Sequence, residues 1–343
     1  MGIAIKDILI SKEISIPDLR NKTLAVDSFN MLYQFLTTIR ARDGSLLTNQ
    51  NGDVTSHLIG LFSRVTNMME QGLKLAFVFD GTPPQLKRHE QQRRAELKKE
   101  AKKEYEIAKQ REDIDGMRKY ASRTTKLTKD MVSDAKELIS YLGLPIIQAK
   151  SEGEAQAAYL VKQKHAFATI SQDFDTLLHG SDYLVRNLSI AGKRKRTNKL
   201  GYITVKPELI NLSDNLNHLG VDQDQLIALS MLIGTDYNIG GIKGIGPKKA
   251  ITLVKQHNKD YNEMFKSVKW NDYFDYDWED VFYLIKNIPI EKNFDIKFTS
   301  PDFNKITEFL CEKHGFEKER VEKTLNKIAN SKDIKQKGLG DFF

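Results

Sequence analysis

The 343-residue sequence contains one cysteine, Cys311, and no long apolar run. One cysteine excludes an internal disulfide and a cysteine-rich zinc site, and it favours a reducing compartment. The N-terminus lacks the basic and apolar regions of a secretion signal, and no segment approaches the ~18 consecutive apolar residues of a membrane span. The seven histidines form no H-E-x-x-H pattern. The sequence therefore predicts a cytoplasmic protein without a membrane anchor and does not favour zinc or thiol chemistry.

Positive charge is concentrated in one segment. The chain has 53 Lys and Arg against 46 Asp and Glu, a formal net charge of +7. Residues 87–129 hold 15 basic and 8 acidic side chains, which accounts for the whole excess. A solvated charged helix would explain such a run, but a focused positive field can also hold a polyanion in one place.

Four short apolar runs alternate with helical patterns. The runs begin at Thr23, Leu75, Leu144 and His165, and each is followed by acidic residues. This alternation predicts an α/β fold with a central, mainly parallel, twisted sheet flanked by helices on both faces. Ligands of such sheets bind outside the carboxyl ends of the strands, which is where the acidic residues lie.

Seven carboxylates are expected to converge at that edge. Taken singly, an Asp after a strand is more often the N-cap of the next helix, and a pair such as Glu152 and Glu154 is usually a surface feature. Seven together cannot remain ionised without cations, and oxygen ligands without His or Cys suit Mg²⁺ or Mn²⁺. Two such ions can activate water and stabilise the leaving oxygen of a phosphodiester. The seven are Asp27, Asp80, Glu152, Glu154, Asp173, Asp175 and Asp236.

Two further segments have features that suit phosphate binding. The glycine-rich turn 240–246 precedes a helix that is predicted to begin near Pro247, and Lys243, Lys248 and Lys249 lie around it. Free backbone N–H groups at a helix start grip phosphate without reading sequence, although a plain connector is the alternative. The basic run 193–199 fits a nucleic-acid contact and a solvated hairpin tip equally well.

Several ordered motifs match a known family. The chain resembles the flap endonucleases, the structure-specific 5′ nucleases of DNA replication and repair, and is most similar to archaeal members. The resemblance runs nearly from end to end. It rests on Met1–Ile3, Val26–Asp27, Tyr33–Leu36, Val78–Gly81, Ser151–Tyr159, Ser171–Asp173, Gly234–Tyr237 and Gly241–Gly246.

The resemblance implies roles for the acidic and basic residues. One Mg²⁺ is expected on Asp27, Asp80 and Glu152, a second on Asp173, Asp175 and Asp236, and Glu154 between them, with Mn²⁺ as a substitute. Lys87 and Arg94 resemble the cations that hold the scissile phosphate. Tyr33 resembles the aromatic on which the neighbouring base stacks. The segment 87–129 corresponds to a helical arch through or under which the 5′ strand passes.

The resemblance also implies how DNA and a protein partner bind. A helix-two-turn-helix near 222–258 is expected to grip duplex DNA with the aid of a K⁺ ion. The C-terminal residues match a box that binds the sliding clamp (PCNA), although a frayed apolar terminus is the alternative. The implied DNA contacts are Gly2, Tyr33, Arg40, Lys87, Arg94, Lys243, Gly244, Gly246, Lys248 and Lys249. The implied clamp contacts are Gln336, Leu339, Phe342 and Phe343.

The resulting prediction is a monomeric enzyme that removes 5′ flaps from branched DNA and has 5′ to 3′ exonuclease activity, by two-metal-ion hydrolysis. The alternatives are a related 5′ nuclease that prefers bubbles or nicks, and a non-catalytic, clamp-tethered protein that binds junctions. The predicted organisation is a nuclease region 1–98, an arch segment 99–115, an internal nuclease region 116–258, a packing region 259–330 and a flexible tail 331–343.

Overall fold

A computed structural model describes the backbone of residues 3–195 and 202–340, and the side chains of residues 3–192 and 204–330. Within these residues, nine strands form a seven-stranded sheet and a two-stranded ribbon. The strands are β1 (Lys12–Glu13), β2 (Thr23–Asp27), β3 (Lys74–Phe79), β4 (Ile146–Gln148), β5 (Ala168–Ile170), β6 (Tyr183–Arg186), β7 (Gly192–Lys195), β8 (Tyr202–Val205) and β9 (Glu208–Asn211).

The strand order of the large sheet is β1-β9-β6-β5-β2-β3-β4. The five strands from β6 to β4 pair in parallel, whereas β9 and β1 pair antiparallel at one edge. The chain builds β3 and β4 on one side of β2 and then returns to place β5 on the other side. The carboxyl ends of β2 and β5 therefore border a crevice of the kind in which α/β sheets bind ligands.

Helices cover both faces of this sheet. Short 3₁₀ turns and one π-helical segment, Glu308–Lys313, complete the described elements. The helices are α1 (Ser28–Thr38), α2 (Ser56–Glu70), α3 (Arg88–Gln110), α4 (Ile114–Ala121), α5 (Lys129–Tyr141), α6 (Gly153–Lys162), α7 (Asp175–Leu178), α8 (Leu212–Leu219), α9 (Gln223–Ile233), α10 (Pro247–His257), α11 (Tyr261–Ser267), α12 (Trp278–Lys286), α13 (Phe303–Thr307) and α14 (Lys318–Gly340).

The alternation of side chains along β2 divides the core between the two faces. Leu24 and Val26 pack into a cluster with α1, α2, α5 and the C-terminal helices, while Ala25 faces α6 on the other side. The small Ala25 lets α6 approach the sheet closely. A further large cluster joins α8 to α12, and it contains the buried Trp270 of the aromatic region.

The predicted fold class is confirmed, and the four predicted strands correspond to β2, β3, β4 and β5. The sequence pattern did not reveal β1, β6 or β9, because none of these strands lies in an apolar run as long as those around β4 and β5. The run 193–199 begins in a hairpin formed by β7 and β8, and its tip lies outside the described residues.

The segment predicted to be a flexible tail, from Ser331, has a helical backbone as far as Gly340, where α14 ends. The physical reason is that residues 318–337 contain neither Pro nor Gly and so keep helix-compatible residues across the expected boundary. In the described ranges, every helix is too short or too polar to cross a lipid bilayer.

Candidate active site

The carboxyl ends of the parallel strands bring the predicted acidic residues together. Asp27 is the last residue of β2, Asp80 directly follows β3, and Asp173 lies three residues beyond β5. Asp236 reaches the same place from the turn after α9. All seven carboxylates line one cavity of about 350 Å³: Asp27, Asp80, Glu152, Glu154, Asp173, Asp175 and Asp236.

Two of these aspartates also hold local structure. Asp27 Oδ1 accepts a hydrogen bond from the Asn30 backbone N–H at 3.0 Å and thereby caps α1, and its Oδ2 accepts from Ser171 Oγ at 3.1 Å. Asp80 Oδ1 accepts from the Gly153 N–H at 2.8 Å, at the start of α6. Asp27 therefore caps α1 and also lines the cavity, because one carboxylate has enough lone pairs to face both.

The carboxyl groups of the cavity are buried close to one another, which disfavours their ionised forms. Burial, with the nearby Asp80 carboxylate, raises the pKa of Asp27 to about 7. Burial and Asp236 likewise raise the pKa of Asp175 to about 7, and burial and Glu152 raise that of Asp80 to about 6. Burial and Asp175 raise the pKa of Glu154 well above its usual range. These groups either keep protons near neutral pH or need cations beside them.

Two basic side chains at the N-terminal end of α3 line the same cavity. Lys87 contacts Glu152 and lies 3.4 Å from Asp236 Oδ2. Arg94 donates through one terminal nitrogen to both Asp236 oxygens, at 2.8 and 2.9 Å. Burial alone would lower the pKa of Lys87, but Glu152, Glu154 and Asp236 together raise it above its usual range. Lys87 is therefore positively charged at any physiological pH.

Arg94 is held from its other side by Glu90, which is only 3% exposed. Glu90 Oε1 accepts from Arg94 Nε at 2.5 Å, and the same carboxylate accepts two bonds from Arg93 at 2.7 and 2.8 Å. Asp236 and Glu90 thus fix the guanidinium of Arg94 between them. The arch helix α3 is tied to the cavity through this chain of charges.

The donor set fits a hard divalent cation. Glu154, Asp173 and Asp175 each offer one carboxylate oxygen, and these oxygens lie within 4.8 Å of one another. Oxygen-only ligands of this kind suit Mg²⁺ or Mn²⁺. The trio includes Glu154 where the expected set has Asp236, so the division of the acids between two ions remains a prediction.

The other predicted contacts fall into three groups. Tyr33 lines the cavity, and the Lys98 ammonium lies 5.4 Å from its ring centre. Arg40 bonds internally, to the Gly44 carbonyl at 2.7 Å and to Thr125 Oγ1, so its guanidinium joins the 40–46 loop to the end of the arch. Exposed lysines surround the start of α10 away from the cavity: Lys243, Lys248 and Lys249.

Some predicted residues cannot be compared with the structure. Gly2, Phe342 and Phe343 lie outside the described residues. Gln336 and Leu339 contribute described backbone to α14, but their side chains are also outside that range. Gly244 and Gly246 are exposed in the turn before α10, and a Cβ at either position would meet no atom within 4 Å. Their backbone is therefore accessible to a large ligand.

Three cavity residues were missed by sequence reasoning. Lys98 follows Arg94 by one helical turn, so the i,i+4 spacing on α3 could have found it. Phe29 and Asn30 belong to the first turn of α1, next to Asp27. No sequence signal separates these two residues from ordinary helix residues.

The sequence matches family models and curated proteins over most of its length. Residues 1–101 match the XPG N-terminal domain and residues 143–236 match the XPG I-region. A Flap endonuclease 1 of Thermococcus onnurineus is 44% identical over 348 residues, covering 100% of this chain and 99% of the relative. The chain belongs to the flap endonuclease family.

Solved structures agree with this membership. The flap endonuclease-1 from Methanococcus jannaschii is 36% identical, with a TM-score of 0.76, and the match covers 97% of this flap endonuclease and 100% of that chain. The catalytic core of Rad2, solved in complex with a DNA substrate, shares the fold at 23% identity and a TM-score of 0.69, covering 96% of this chain and 100% of that core.

Proposed function

We propose that this protein removes 5′ flaps at junctions between single-stranded and duplex DNA by hydrolysing a phosphodiester bond, with 5′ to 3′ exonuclease activity. One observation carries the proposal. Seven carboxylates share a single cavity with Lys87 and Arg94, at the N-terminal end of the basic helix α3. Family membership supports the same reaction.

The chemistry assigns separate tasks to the acids and the bases. The seven carboxylates would hold two Mg²⁺ ions, with Mn²⁺ as a substitute, and the ions when bound would lower the pKa of a water and offset charge on the leaving oxygen. Lys87 and Arg94 would exchange their carboxylate partners for the scissile phosphate and offset its developing negative charge. Tyr33 would stack against the base beside that phosphate.

Junction selection would come from shape and backbone contacts. The start of α10 presents free N–H groups with Lys243, Lys248 and Lys249 nearby, which suits a duplex phosphate backbone. A K⁺ ion is proposed in the preceding turn. Since these lysines lie outside the cavity lining, the duplex would be held at a distance from the reacting bond, and the arch would take the single strand.

The deciding experiment is cleavage of a double-flap DNA with and without Mg²⁺. Wild type is expected to cut near the junction, and Asp173→Ala and Asp236→Ala are expected to lose at least about a hundredfold in rate, the scale for losing transition-state charge stabilisation. The exposed Asp295→Ala is the matched control and should cut normally. Wild type that binds flaps but never cuts them would favour the non-catalytic junction-binding alternative.

A substrate series separates the remaining alternative. Flap, bubble and nicked duplexes of equal length should be compared by their single-turnover rates in Mg²⁺. Faster cutting of bubbles or nicks than of flaps would replace the flap proposal with the related 5′ nuclease.

The proposed substrate and cavity also bear on location and oligomeric state. An enzyme that cuts cellular DNA must work inside the cell, so an intracellular location is proposed. A single chain supplies every residue of the cavity, which fits a monomeric active unit.

The C-terminal residues are proposed to bind the sliding clamp PCNA through Gln336, Leu339, Phe342 and Phe343. Deleting residues 336–343 is expected to leave basal flap cleavage unchanged, because every cavity residue lies before residue 237. The deletion should abolish stimulation by the clamp. Measuring cleavage with and without added clamp tests this, and stimulation that persists in the truncated protein would remove the segment from the proposal.

A further inference from the structure

Asn30 connects the ends of two parallel strands. Its side-chain Nδ2 donates to Asp173 Oδ2 at 2.9 Å, and its Oδ1 accepts from the Gln172 backbone N–H at 3.1 Å. Its own backbone N–H donates to Asp27 Oδ1 at 3.0 Å. One residue of α1 therefore orients the carboxylate that ends β2 and the carboxylate in the loop after β5.

The same loop is held from the opposite side by Arg186 at the end of β6. Arg186 Nε donates to the Gln172 carbonyl at 3.1 Å, and its guanidinium carbon lies 4.3 Å from the centre of the Phe174 ring. Glu208 lies 3.5 Å from the same guanidinium. The backbone of Gln172, the residue before Asp173, is thus held at its N–H by Asn30 and at its carbonyl by Arg186.

This support matters because the acids of the cavity repel one another. Asp173 belongs to the trio whose oxygens lie within 4.8 Å, together with Glu154 and Asp175. A neutral amide donor holds the Asp173 carboxylate in place without adding a charge that would compete with a cation. A carboxylate has about four lone-pair sites, so the bond from Asn30 leaves sites for a metal.

We propose that Asn30 is a positioning residue for divalent-ion binding, which it serves by aiming Asp173 at the cavity. This inference rests on the proposed metal-dependent function. Asn30 acts through Asp173 and Asp27, in the manner of partners that orient metal ligands, whose loss typically weakens metal affinity by about 10–100-fold.

The test measures Mn²⁺ binding by calorimetry on the full chain without DNA. Asn30→Leu keeps the approximate size of the side chain and removes both amide contacts, and it is expected to bind Mn²⁺ about tenfold or more weakly than wild type. The Mn²⁺ affinity of Asn30→Ser should lie between those of wild type and Asn30→Leu. If Asn30→Leu does not fold, Asn30→Ser is compared with wild type instead. Wild-type Mn²⁺ affinity in both variants would overturn the proposal.

A buried asparagine elsewhere supplies the matched control. Asn215 bonds through its amide to the Ile10 N–H and carbonyl, at 2.7 and 3.0 Å, and to the Asn211 carbonyl at 2.8 Å. Asn215→Leu should lower the unfolding midpoint and leave Mn²⁺ affinity unchanged. An equal loss of Mn²⁺ affinity in this control would show that general loosening explains the Asn30 result, which would also overturn the proposal.

A cleavage assay separates positioning from disruption of the fold. Flap cleavage by Asn30→Leu should approach the wild-type rate at saturating Mn²⁺, with the half-saturating concentration raised by the same factor as in calorimetry. A rate that stays low at every Mn²⁺ concentration would contradict the proposal. If no protein cuts flaps and the affinity shift persists, the proposed function fails while the role of Asn30 is supported.

Discussion

Asp27 shows how one side chain can serve the fold and the cavity together. Its carboxylate caps α1 and accepts from Ser171, and it also faces Asp80 closely enough to raise its own pKa. From the sequence alone, capping and a place in the acidic cavity are alternatives for this residue. In the structure they coexist, because the bond that caps α1 also orients the carboxylate that lines the cavity.

Glu90 forms an ion pair with Arg94, and we expect its negative charge to support the rate of cleavage. Glu90→Gln keeps the side-chain size but removes the charge that holds the Arg94 guanidinium between Glu90 and Asp236. The single-turnover cleavage rate should fall about tenfold with little change in flap affinity, because a misaligned group costs rate more than binding. Rapid-quench kinetics and a binding titration measure the two quantities.

The control for Glu90 is Glu96→Gln, an exposed acid on the same helix. It should change neither the cleavage rate nor the affinity. Equal losses of rate and affinity in Glu90→Gln would show that the residue only shapes the DNA-binding surface, and an unchanged rate would show that Asp236 alone orients Arg94.

At the scale of elements, two buried histidines lie where helices pack together, His57 on α2 and His314 at the end of the π-helical segment. His57 on α2 is fully buried, and both of its ring nitrogens lack a hydrogen-bond partner among the described residues. Burial lowers its pKa to about 4, against the opposing effect of Asp134. His314 lies 3.6 Å from Asp134, and burial lowers its pKa also.

The burial of His57 makes its own contribution to stability sensitive to acid. Below the ordinary pKa of 6.5 the unfolded chain binds a proton at His57 that the folded chain does not bind, so this contribution to the free energy of unfolding declines as pH falls from 6.5 towards 4. The raised pKa values of Asp27, Asp80 and Asp175 act in the opposite direction, so the His57 contribution is measured as the difference between two proteins. The free energy of unfolding of His57→Met minus that of wild type should rise as pH falls, whereas the same difference for the exposed His218→Met should stay constant. Urea unfolding at pH 7.5, 5.5 and 4.5 measures the slopes. Identical slopes in wild type and His57→Met would contradict the assignment.

The elements that the sequence predicted are those with a strong local pattern. The run Leu75–Phe79 and the helical spacing from Met131 to Leu142 each correspond to an element in the structure, β3 and α5. The strands β1 and β9 do not lie in long apolar runs, and they pair with each other across about 195 positions of the chain. Likewise, Asn30 reaches Gln172 and Asp173 only because β2 and β5 are neighbours. No local signal can reveal such a contact.

At the scale of the whole molecule, charge is divided between an acidic cavity and a basic arch. The excess of +7 resides in residues 87–129, which form α3, α4 and the turns beside them. DNA binding should therefore weaken steeply with salt through the arch. Replacing three exposed arch lysines by Gln should make the slope of log affinity against log salt shallower by about two: Lys99, Lys102 and Lys103.

A matched triple variant on other exposed surfaces tests whether position or total charge matters. The control replaces Lys12, Lys292 and Lys297 by Gln and should leave the salt slope nearly unchanged. Affinity for a flap DNA between 50 and 300 mM KCl gives the slopes. Equal changes in the two triple variants would show that the net charge of the molecule, rather than the arch, attracts the DNA.

The C-terminal helices complete the core that the first strands begin. Ile306, Leu310, Val321 and Leu325 are buried in the same cluster as Leu24 on β2. During synthesis this core stays open until Ile328 has left the ribosome, because its final side chains are not yet available to pack. A nascent chain of this design would thus acquire its stable form late, long after the strands of its sheet have emerged.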